Sequence, residues 1–292
     1  MTRIKLAVQK SGRLSEKTKR LLNACGIDFQ VEKGRLVNSC ENFPMDILFV
    51  RDDDIPNYVA EGTCDIGVVG FNELSERAYS QLKNGQMEIA EKLGFGKCRL
   101  SIAVKNGEAV ETVSDLDGKR IATSYPEVLG RFLSGNGVDA KIVEIQGSVE
   151  IAPSLGVSDA ICDLVSTGAT LAANELVEKF SILQSEACLV KNSDIDLTKQ
   201  TLIEALCLRI RGVLKAESSK YIMMNAPKTA VEKITEVISG LEKPTVMPLM
   251  GDDDKVAIHV VARETVFWET IESLKEAGAS SVLVVPIEKI LD

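Results

Sequence analysis

Strand-like and helix-like stretches alternate through the first three quarters of the chain, and this alternation most constrains the fold. Apolar runs such as Ile4 to Val8 and Met45 to Val50 predict buried strands. An amphipathic stretch from Leu14 to Cys25, closed by Gly26, predicts a helix between them. Strands that alternate with helices favour mainly parallel sheets covered by helices, which is an α/β fold. In such sheets the loops that follow the strands carry the ligand sites.

The last quarter of the chain has a different order of elements. Four strand signals enclose two helix signals, at 220–224, 229–238 (helix), 245–249, 256–261, 265–277 (helix) and 281–285. The order β-α-β-β-α-β is that of the ferredoxin-like split unit. The pattern therefore predicts a separate small domain at the end of the chain.

Charge and composition exclude several classes of function. The chain has 292 residues and a net charge of −9, so general binding to nucleic acid or to a membrane surface is not expected. The stretch MTRIKLAVQK lacks the features of a signal peptide, and no apolar stretch approaches the roughly 20 residues of a membrane helix, which predicts a cytoplasmic protein. The seven cysteines form no C-x-x-C pair, and the single histidine, His259, lies in a strand-like run. A disulfide framework, a metal ribbon and histidine-based nucleophilic catalysis are therefore not expected.

The stretch CDLVSTGATL takes an apolar strand directly into hydroxyl groups and a glycine. Backbone N–H groups at the start of the next helix can form an anion cradle with the Ser166, Thr167 and Thr170 hydroxyls. Gly168 permits close backbone approach, and Asp163 can accept hydrogen bonds from ribose hydroxyls or help to orient Mg²⁺. This arrangement resembles the loop with which phosphoribosyltransferases hold phosphoribosyl pyrophosphate (PRPP). An ordinary helix cap explains the same residues equally well, and the missing Walker lysine disfavours a P-loop NTPase.

Charged groups follow other predicted strands. The stretch QKSGRLS places Lys10, Gly12 and Arg13 after the first strand, and Arg51 follows the second. Cations in these positions suit a pyrophosphate or polyphosphate, although a solvated basic turn explains the first loop equally well. Glu150 lies at another strand-to-helix junction, where a surface helix charge is the simpler interpretation.

Together these stretches resemble ATP phosphoribosyltransferase of the long form, the family that begins histidine biosynthesis. The matching stretches run the length of the chain and are AVQKSGRLSEKT, ILFVRDDDIP, CDIGVVG, GKRIATSYP, GSVEIAP, DAICDLVSTGATLAAN, SKYIMMNAP and GASSVLVVPIEK. The resemblance implies a Mg²⁺-dependent glycosyltransferase that joins N1 of the adenine of ATP to C1 of PRPP and releases pyrophosphate. It also implies feedback inhibition by histidine and assembly into homo-oligomers, as dimers and hexamers.

The resemblance further implies a fold and a division into domains. The expected fold is a bilobal catalytic body like that of periplasmic binding proteins, followed by a ferredoxin-like (ACT-type) regulatory domain. We expect residues 1–95 and 183–217 to form one catalytic subdomain and residues 96–182 the second, which carries the PRPP loop. Residues 218–292 would then form the regulatory domain.

Particular residues take roles from the same resemblance. PRPP would be bound by Asp163, Ser166, Thr167, Gly168, Ala169 and Thr170. Catalytic roles at the phosphates and the ribose fall to Lys10, Arg13, Arg51 and Glu150, and contacts with ATP to Gly12 and Asp65. Histidine would bind at Asn225, Leu241, Thr245 and Ser281, where strand and turn packing is an equally good interpretation. The sequence assigns no metal ligands and no general base.

Two other functions fit parts of the pattern. A solute-binding protein shares the alternating, bilobal order, but the missing export signal and the C-terminal module argue against it. A ligand-sensing regulatory protein could keep the small domain without catalysis, but the intact DLVSTGATL and QKSGRLS stretches argue against that interpretation.

Overall fold

The computed structural model describes residues 2–31, 34–238 and 243–291 and forms two compact units, Met1–Glu204 and Ala205–Asp292. The first unit contains, in chain order, β1 (Ile4–Gln9), α1 (Arg13–Ala24), β2 (Val37–Ser39), β3 (Met45–Val50), α2 (Ile55–Ala60), β4 (Ile66–Gly70), α3 (Phe71–Arg77), α4 (Tyr79–Lys83), β5 (Met87–Lys92), β6 (Cys98–Lys105), β7 (Arg120–Thr123), α5 (Pro126–Gly135), β8 (Lys141–Glu144), β9 (Ala160–Val165), α6 (Ala169–Ala173), β10 (Leu176–Ser185) and β11 (Ala187–Asn192). Helix α7 (Leu197–Glu217) follows. The second unit continues with β12 (Ser219–Pro227), α8 (Val231–Val237), β13 (Thr245–Leu249), β14 (Asp252–Arg263), α9 (Glu264–Glu276) and β15 (Ser280–Pro286).

Two mixed sheets form the frame of the first unit. The first sheet has the order β2-β3-β1-β4-β11-β5, with β1 parallel to β3 and β4 and with β11 antiparallel to both of its neighbours. The second has the order β10-β6-β9-β7-β8, in which β9, β7 and β8 run parallel. The α/β prediction is confirmed, but the prediction of mainly parallel sheets was wrong, because β2, β6, β10 and β11 pair antiparallel with their neighbours.

The chain crosses between the two sheets twice, from β5 to β6 and from β10 back to β11. The crossings are joined by hydrogen bonds from the Leu93 N–H to the Ala187 carbonyl and from the Ala187 N–H to the Phe95 carbonyl, each 2.9 Å long. Backbone hydrogen bonds therefore tie the two crossings side by side.

Strand β4 shows how closely the elements pack. Its apolar residues are buried on both faces, as expected of a strand between neighbouring strands and helices. Gly67 in this strand faces α2, and a methyl group placed on it would lie 2.6 Å from Cγ2 of Ile55 and 3.0 Å from Cγ2 of Val59. The glycine is therefore required for α2 to lie directly against the sheet.

The sequence pattern predicts helices over 149–155 and from Ala169 onward, and both are short in the structure. The stretch from Val149 to Leu155 forms only a 3-10 turn, Val149–Ile151, because Pro153 lacks the N–H that a continued helix would need. Helix α6 has five residues, and Glu175 just beyond it adopts a left-handed backbone with φ of 57°. The structure also contains strands β2, β5, β10 and β11, which the sequence pattern did not predict.

The second unit has the predicted β-α-β-β-α-β order. Its antiparallel sheet has the order β13-β14-β12-β15, and one face carries a core that includes Ile222, Met224, Ile258 and Val260. Within this unit the Ile290 N–H donates to the carbonyl of Gly212 in α7 at 3.0 Å. The fold prediction for this part is confirmed, whereas its regulatory character stays a prediction. Among the described residues, no helix combines the length and apolar character needed to cross a membrane.

Candidate active site

The loops after β1, β3 and β4 lie at one edge of the first sheet, because these strands run parallel. The Lys10 N–H donates to the Val50 carbonyl at 2.8 Å, and the Gln9 amide donates to a carboxylate oxygen of Asp52 at 3.0 Å, so the first two loops are tied together. Gly12 has φ of 101°, a conformation that favours glycine, and it turns the chain into α1. Lys10, Gly12, Arg13 and Arg51 are thus brought to the same edge.

The cations at this edge differ in how they are held. Arg51 donates through two nitrogens to the carboxylate of Asp53, both at 3.1 Å, and most of its side chain is exposed. Lys10 and Arg13 are exposed as well. Such cations can meet a polyanion that arrives from solvent.

The loop after β9 encloses a cavity of about 350 Å³. Its walls are formed by Arg13, Glu150, Asp163, Leu164, Val165, Ser166, Thr167, Gly168, Ala169, Thr170 and Leu171. The structure therefore brings together the predicted PRPP residues, Glu150 and Arg13, although Arg13 follows a strand of the other sheet. Gly168 has φ of 82°, and the Ala169 N–H donates to the Thr167 hydroxyl at 3.4 Å. Because α6 is so short, the loop hydroxyls and N–H groups, more than a helix dipole, make this cavity suitable for an anion.

Two carboxylates face each other across this cavity. Burial raises the pKa of Asp163, and the nearby charge of Glu150 raises it further, while the Leu164 N–H donates to the Asp163 carboxylate at 2.7 Å and opposes the shift. Glu150 follows two left-handed residues, Gly147 and Ser148, which turn the chain toward the loop. A half-buried carboxylate of this kind is a good acceptor for ribose hydroxyl groups.

A second cavity, of about 490 Å³, adjoins the first and is shared by both sheets. Its lining includes Gln9, Arg13, Leu14, Lys17, Asp52, Gly70, Asn72, Glu73, Gly96, Lys97, Cys98, Leu164, Ser166 and Ala187. Arg13, Leu164 and Ser166 line both cavities. The two cavities adjoin near Ser166 and together offer room for two ligands.

A hydrogen-bonded cluster joins the two sheets at the wall of this cavity. The Tyr125 hydroxyl donates to Glu73 at 3.0 Å and accepts from the Asn72 amide at 3.1 Å. Burial and the neighbouring Glu73 carboxylate raise the pKa of Tyr125 far above its usual value, so it stays protonated and remains a donor. Asn72 is held in turn by Ser185, whose hydroxyl donates to its carbonyl oxygen at 2.8 Å.

Glu73, Lys97 and Tyr125 were missed as site residues. Lys97 lies in a crossing between the sheets, and the contact of Glu73 with Tyr125 joins positions far apart in sequence. Asn72 was predictable, because it comes two residues after the end of β4, where residues that follow a strand often carry ligand sites.

Asp65 is the predicted site residue that the structure separates from the others. It precedes β4 and so lies at the opposite edge of the first sheet. Its carboxylate accepts from the Lys5 N–H at 2.7 Å and forms an ion pair with Lys199 at 2.8 Å. This pairing raises the pKa of Lys199. Asp65 is held for a structural purpose, and its position does not suit the predicted contact with ATP.

The carboxylates at the site are suited to a Mg²⁺ ion carried by the substrates. Among the described residues, no three His, Cys, Asp or Glu side chains cluster as metal ligands would. Mg²⁺ commonly takes one or two protein carboxylates, with phosphate oxygens and waters filling the other positions. Asp163 and Glu150 in the loop cavity fit that pattern.

The predicted histidine-site residues lie on different strands of the second unit. Asn225 on β12 pairs with Ser280 on β15 next to a register shift, and Ser281 has a left-handed φ of 51°. Thr245 is on β13, on the far side of β14 from Asn225. Leu241 lies outside the described residues. The structure thus brings Asn225 and Ser281 near each other and leaves Thr245 two strands away.

Two family models and a solved structure match large parts of this chain. A family model described as ATP phosphoribosyltransferase matches residues 51–212, and a model described as the HisG C-terminal domain matches residues 216–289. Among solved structures, the ATP phosphoribosyl transferase (HisG:HisZ) complex from Thermotoga maritima is similar at 30% identity and a TM-score of 0.62, over 73% of this chain and 98% of that one.

Two binding proteins show a looser likeness. The alkanesulfonate-binding protein SsuA from Xanthomonas axonopodis pv. citri matches at 15% identity over 74% of this chain and 75% of that one, with a TM-score of 0.46. A truncated, arginine-bound ArgBP from T. maritima matches at 14% identity over 71% and 94%, with a TM-score of 0.44. At TM-scores below 0.5, neither likeness supports a conclusion about this chain.

Proposed function

Because the chain belongs to the ATP phosphoribosyltransferase family, we propose that it binds ATP and PRPP on the loops after β1, β3 and β9. The enzyme is a glycosyltransferase that forms a bond between N1 of the adenine and C1 of the ribose. The bond from C1 to the pyrophosphate oxygen breaks, and pyrophosphate leaves with the electron pair. This membership decides against the solute-binding and ligand-sensing alternatives.

The loop cavity is proposed to hold the 5-phosphate and ribose of PRPP. The observation that carries this proposal is that Ser166 to Thr170, Asp163 and Glu150 line one cavity of about 350 Å³. The hydroxyls of Ser166, Thr167 and Thr170 and the loop N–H groups would surround the phosphate, with Gly168 allowing the backbone to approach it closely. Asp163 would accept hydrogen bonds from the ribose hydroxyls.

The cations of the first sheet are proposed to hold the second set of phosphates. Lys10, Arg13 and Arg51 lie where pyrophosphate and the ATP phosphates would face the loop cavity, with Gly12 leaving backbone room. Positive groups fixed in advance stabilise the charge that develops on departing pyrophosphate. Arg13 is well placed for this role because it lines both cavities.

The main task of the protein in this reaction is to position the two substrates. Displacement at an anomeric carbon passes through an oxocarbenium-like centre, and the adenine itself is the nucleophile, so no side chain has to form a covalent bond. Alignment of two bound reactants can supply about 7–11 kcal/mol of the barrier. Asp163 and Glu150 would hold Mg²⁺ together with substrate oxygens, and the ion would neutralise charge on the pyrophosphate. The same two carboxylates would face the positive ribose.

The second unit is proposed to be the regulatory domain that binds histidine at Asn225 and Ser281, with Thr245 and Leu241 as further contacts. Support comes from the family match over residues 216–289 and from the left-handed turn at Ser281 beside Asn225. We further propose that the chain forms homo-oligomers, as dimers and hexamers, and that it is cytoplasmic. The proposed domains are one catalytic subdomain of residues 1–95 and 183–217, a second of residues 96–182, and a regulatory domain of residues 218–292.

One crossed experiment tests both sites. Phosphoribosyl-ATP formation from ATP, PRPP and Mg²⁺ is followed by absorbance, at varied PRPP and varied histidine. In Thr167→Ala and Thr170→Ala, a lost hydrogen bond to a charged phosphate should raise the PRPP KM about tenfold or more and leave histidine inhibition unchanged. Asn225→Ala should do the reverse, with about tenfold weaker inhibition and an unchanged KM.

The control for hydroxyl loss is Thr201→Ala, an exposed residue whose hydroxyl donates to the Leu197 carbonyl within α7 at 2.9 Å. It should match the native enzyme in both measurements. A native PRPP KM in both loop variants would refute the loop assignment. Native inhibition in Asn225→Ala would refute the histidine assignment at that residue.

A further inference from the structure

An arginine beneath the PRPP loop makes contacts that the proposed function does not use. Arg99, on β6, donates through two nitrogens to both carboxylate oxygens of Glu178 on β10, and a third nitrogen donates to the Ser166 carbonyl at 3.4 Å. The buried Ser101 hydroxyl donates to the same Glu178 carboxylate at 2.8 Å. The guanidinium is therefore fixed on one side and reaches the first residue of the loop on the other.

The second sheet places Arg99 and Glu178 at the edge from which the loop after β9 begins. In the β6–β9 ladder Arg99 is paired with Val165, the last strand residue before the loop, and Ser101 is paired with Asp163. Glu178 lies beside a register shift in β10, and such bulges re-aim side chains near active sites. The strand register thus brings an ion pair of good geometry under the point where the strand becomes the loop.

The orientation of one peptide group depends on this contact. In a trans peptide the carbonyl and the following N–H point in opposite directions. Arg99 holds the Ser166 carbonyl, so the Thr167 N–H is directed away from Arg99. Arg99 lines a neighbouring cavity of about 590 Å³, and Ser166 lines both that cavity and the loop cavity. Thr167 lines the loop cavity and Arg99 does not, so an N–H turned away from Arg99 is placed to face that cavity.

We infer that Arg99, held by Glu178, is a positioning residue for PRPP, which fixes the Ser166–Thr167 peptide so that its N–H meets the 5-phosphate. The inference rests on the proposed function of the loop. Arg99 does not touch the reacting atoms. Because Arg99 holds the loop in its bound conformation in advance, the loop loses less conformational entropy when the phosphate binds.

The same sheet offers a matched control. Arg120 donates through two nitrogens to the carboxylate of Asp159, at 3.2 and 2.8 Å, and through a third to the Gly156 carbonyl at 2.9 Å. The chemistry is that of Arg99 and Glu178, but this pair lies at the amino ends of β7 and β9, the edge away from the loop. Loss of either pair removes an ion pair from the same sheet, and only one of them touches the loop.

The test compares Arg99→Lys and Glu178→Gln with Arg120→Lys and Asp159→Asn in the full chain. Calorimetry measures binding of ribose 5-phosphate and of pyrophosphate, and initial rates give KM and kcat. In the Arg99 and Glu178 variants we expect about tenfold weaker ribose 5-phosphate binding and a PRPP KM raised by a similar factor. Pyrophosphate binding, the ATP KM and kcat should change less than about twofold, and the control pair should leave all of these unchanged.

Glu178→Gln keeps the shape of the pair and decides the matter if Arg99→Lys does not fold. Native ribose 5-phosphate binding in Glu178→Gln, or an equal loss in the Arg120 and Asp159 variants, would overturn the inference.

The Thr167 and Thr170 variants distinguish a failure of the positioning role from a failure of the loop assignment. If they raise the PRPP KM and the Arg99 and Glu178 variants do not, positioning by Arg99 fails while the loop assignment stands. If the Thr167 and Thr170 variants have no effect, the loop assignment itself fails.

Discussion

Arg120 and Asp159 show what a single exposed ion pair contributes. Hydrogen bonds from the Arg120 side chain, followed by its backbone N–H, lower the pKa of Asp159 from 3.8 to about 2. Because the pKa is lower in the folded chain, the pair stabilises the fold at pH values above 3.8, and that contribution is lost as the pH falls toward 2. Since both side chains are well exposed, the contribution is small, about 1 kcal/mol or less.

The residue-scale prediction concerns Asp159→Asn. At pH 6 the variant should unfold at slightly lower urea than the native chain, because the ion pair is gone. Between pH 4 and pH 3 the difference should shrink, since Asp159 of the unfolded chain, with its ordinary pKa of 3.8, takes up protons before the folded carboxylate does. Urea titrations at pH 6, 4 and 3 check this. A difference that stays constant over the series would mean that the ion pair is not its source.

At the scale of whole elements, α3 caps α5. The first N–H groups of a helix have no partner within the helix, and those of Glu127 and Val128 donate to the Glu76 carboxylate at 2.9 Å each. Burial raises the pKa of Glu76, although the two N–H groups oppose the shift. A carboxylate from α3, which follows a strand of the first sheet, thus accepts hydrogen bonds from the otherwise unpaired N–H groups of α5, which follows a strand of the second sheet. The contact ties α3 to α5 close to the hydrogen bond between Glu73 and Tyr125.

The element-scale prediction is that Glu76→Ala destabilises the chain by about 1–2 kcal/mol, because the cap and its interaction with the helix dipole are lost. Glu76→Gln keeps one acceptor and should cost less. Glu127→Gln, an exposed carboxylate in the first turn of the same helix, is the matched control. Urea unfolding followed by circular dichroism measures all three. Equal stability of Glu76→Ala and Glu127→Gln would contradict the capping role.

How far the sequence predicts the site depends on the range of the contacts involved. The loop after β9 was predictable, because an apolar strand that ends in hydroxyls and glycine is a local pattern. The contact of Glu73 with Tyr125 was not, since it is made only when the two sheets meet. The position of Asp65 was not predictable in the same way. The local sequence predicts the strand that follows Asp65, but its ion pair with Lys199 joins residues far apart in the chain. Helix α6 is shorter than its sequence pattern predicts, because the chain turns into a left-handed conformation at Glu175 just beyond it. Helix propensities do not predict that conformation.

At the scale of the whole chain, the two units differ in how they are assembled from the sequence. The sheet of the second unit and the second sheet of the first unit are each built from one continuous stretch. The first sheet is not, because β11 lies between β4 and β5 although all five strands of the second sheet precede it in the chain. The cavity of about 490 Å³ uses loops from both sheets and is lined by Ala187 at the start of β11, so it depends on this late insertion.

The late insertion of β11 affects the order in which the chain folds. Strand β5 leaves the ribosome well before Ala187–Asn192, the strand beside which it lies in the described sheet. An unpaired strand gains no ladder hydrogen bonds, and distant pairings form slowly. Pulse-labelled hydrogen exchange during refolding should therefore show β5 protected after β1, β3 and β9. Protection of β5 together with β1 would contradict this order. On a growing chain the substrate cleft would be the last part of the first unit to form, so nascent protein would bind neither substrate until β11 has been synthesised.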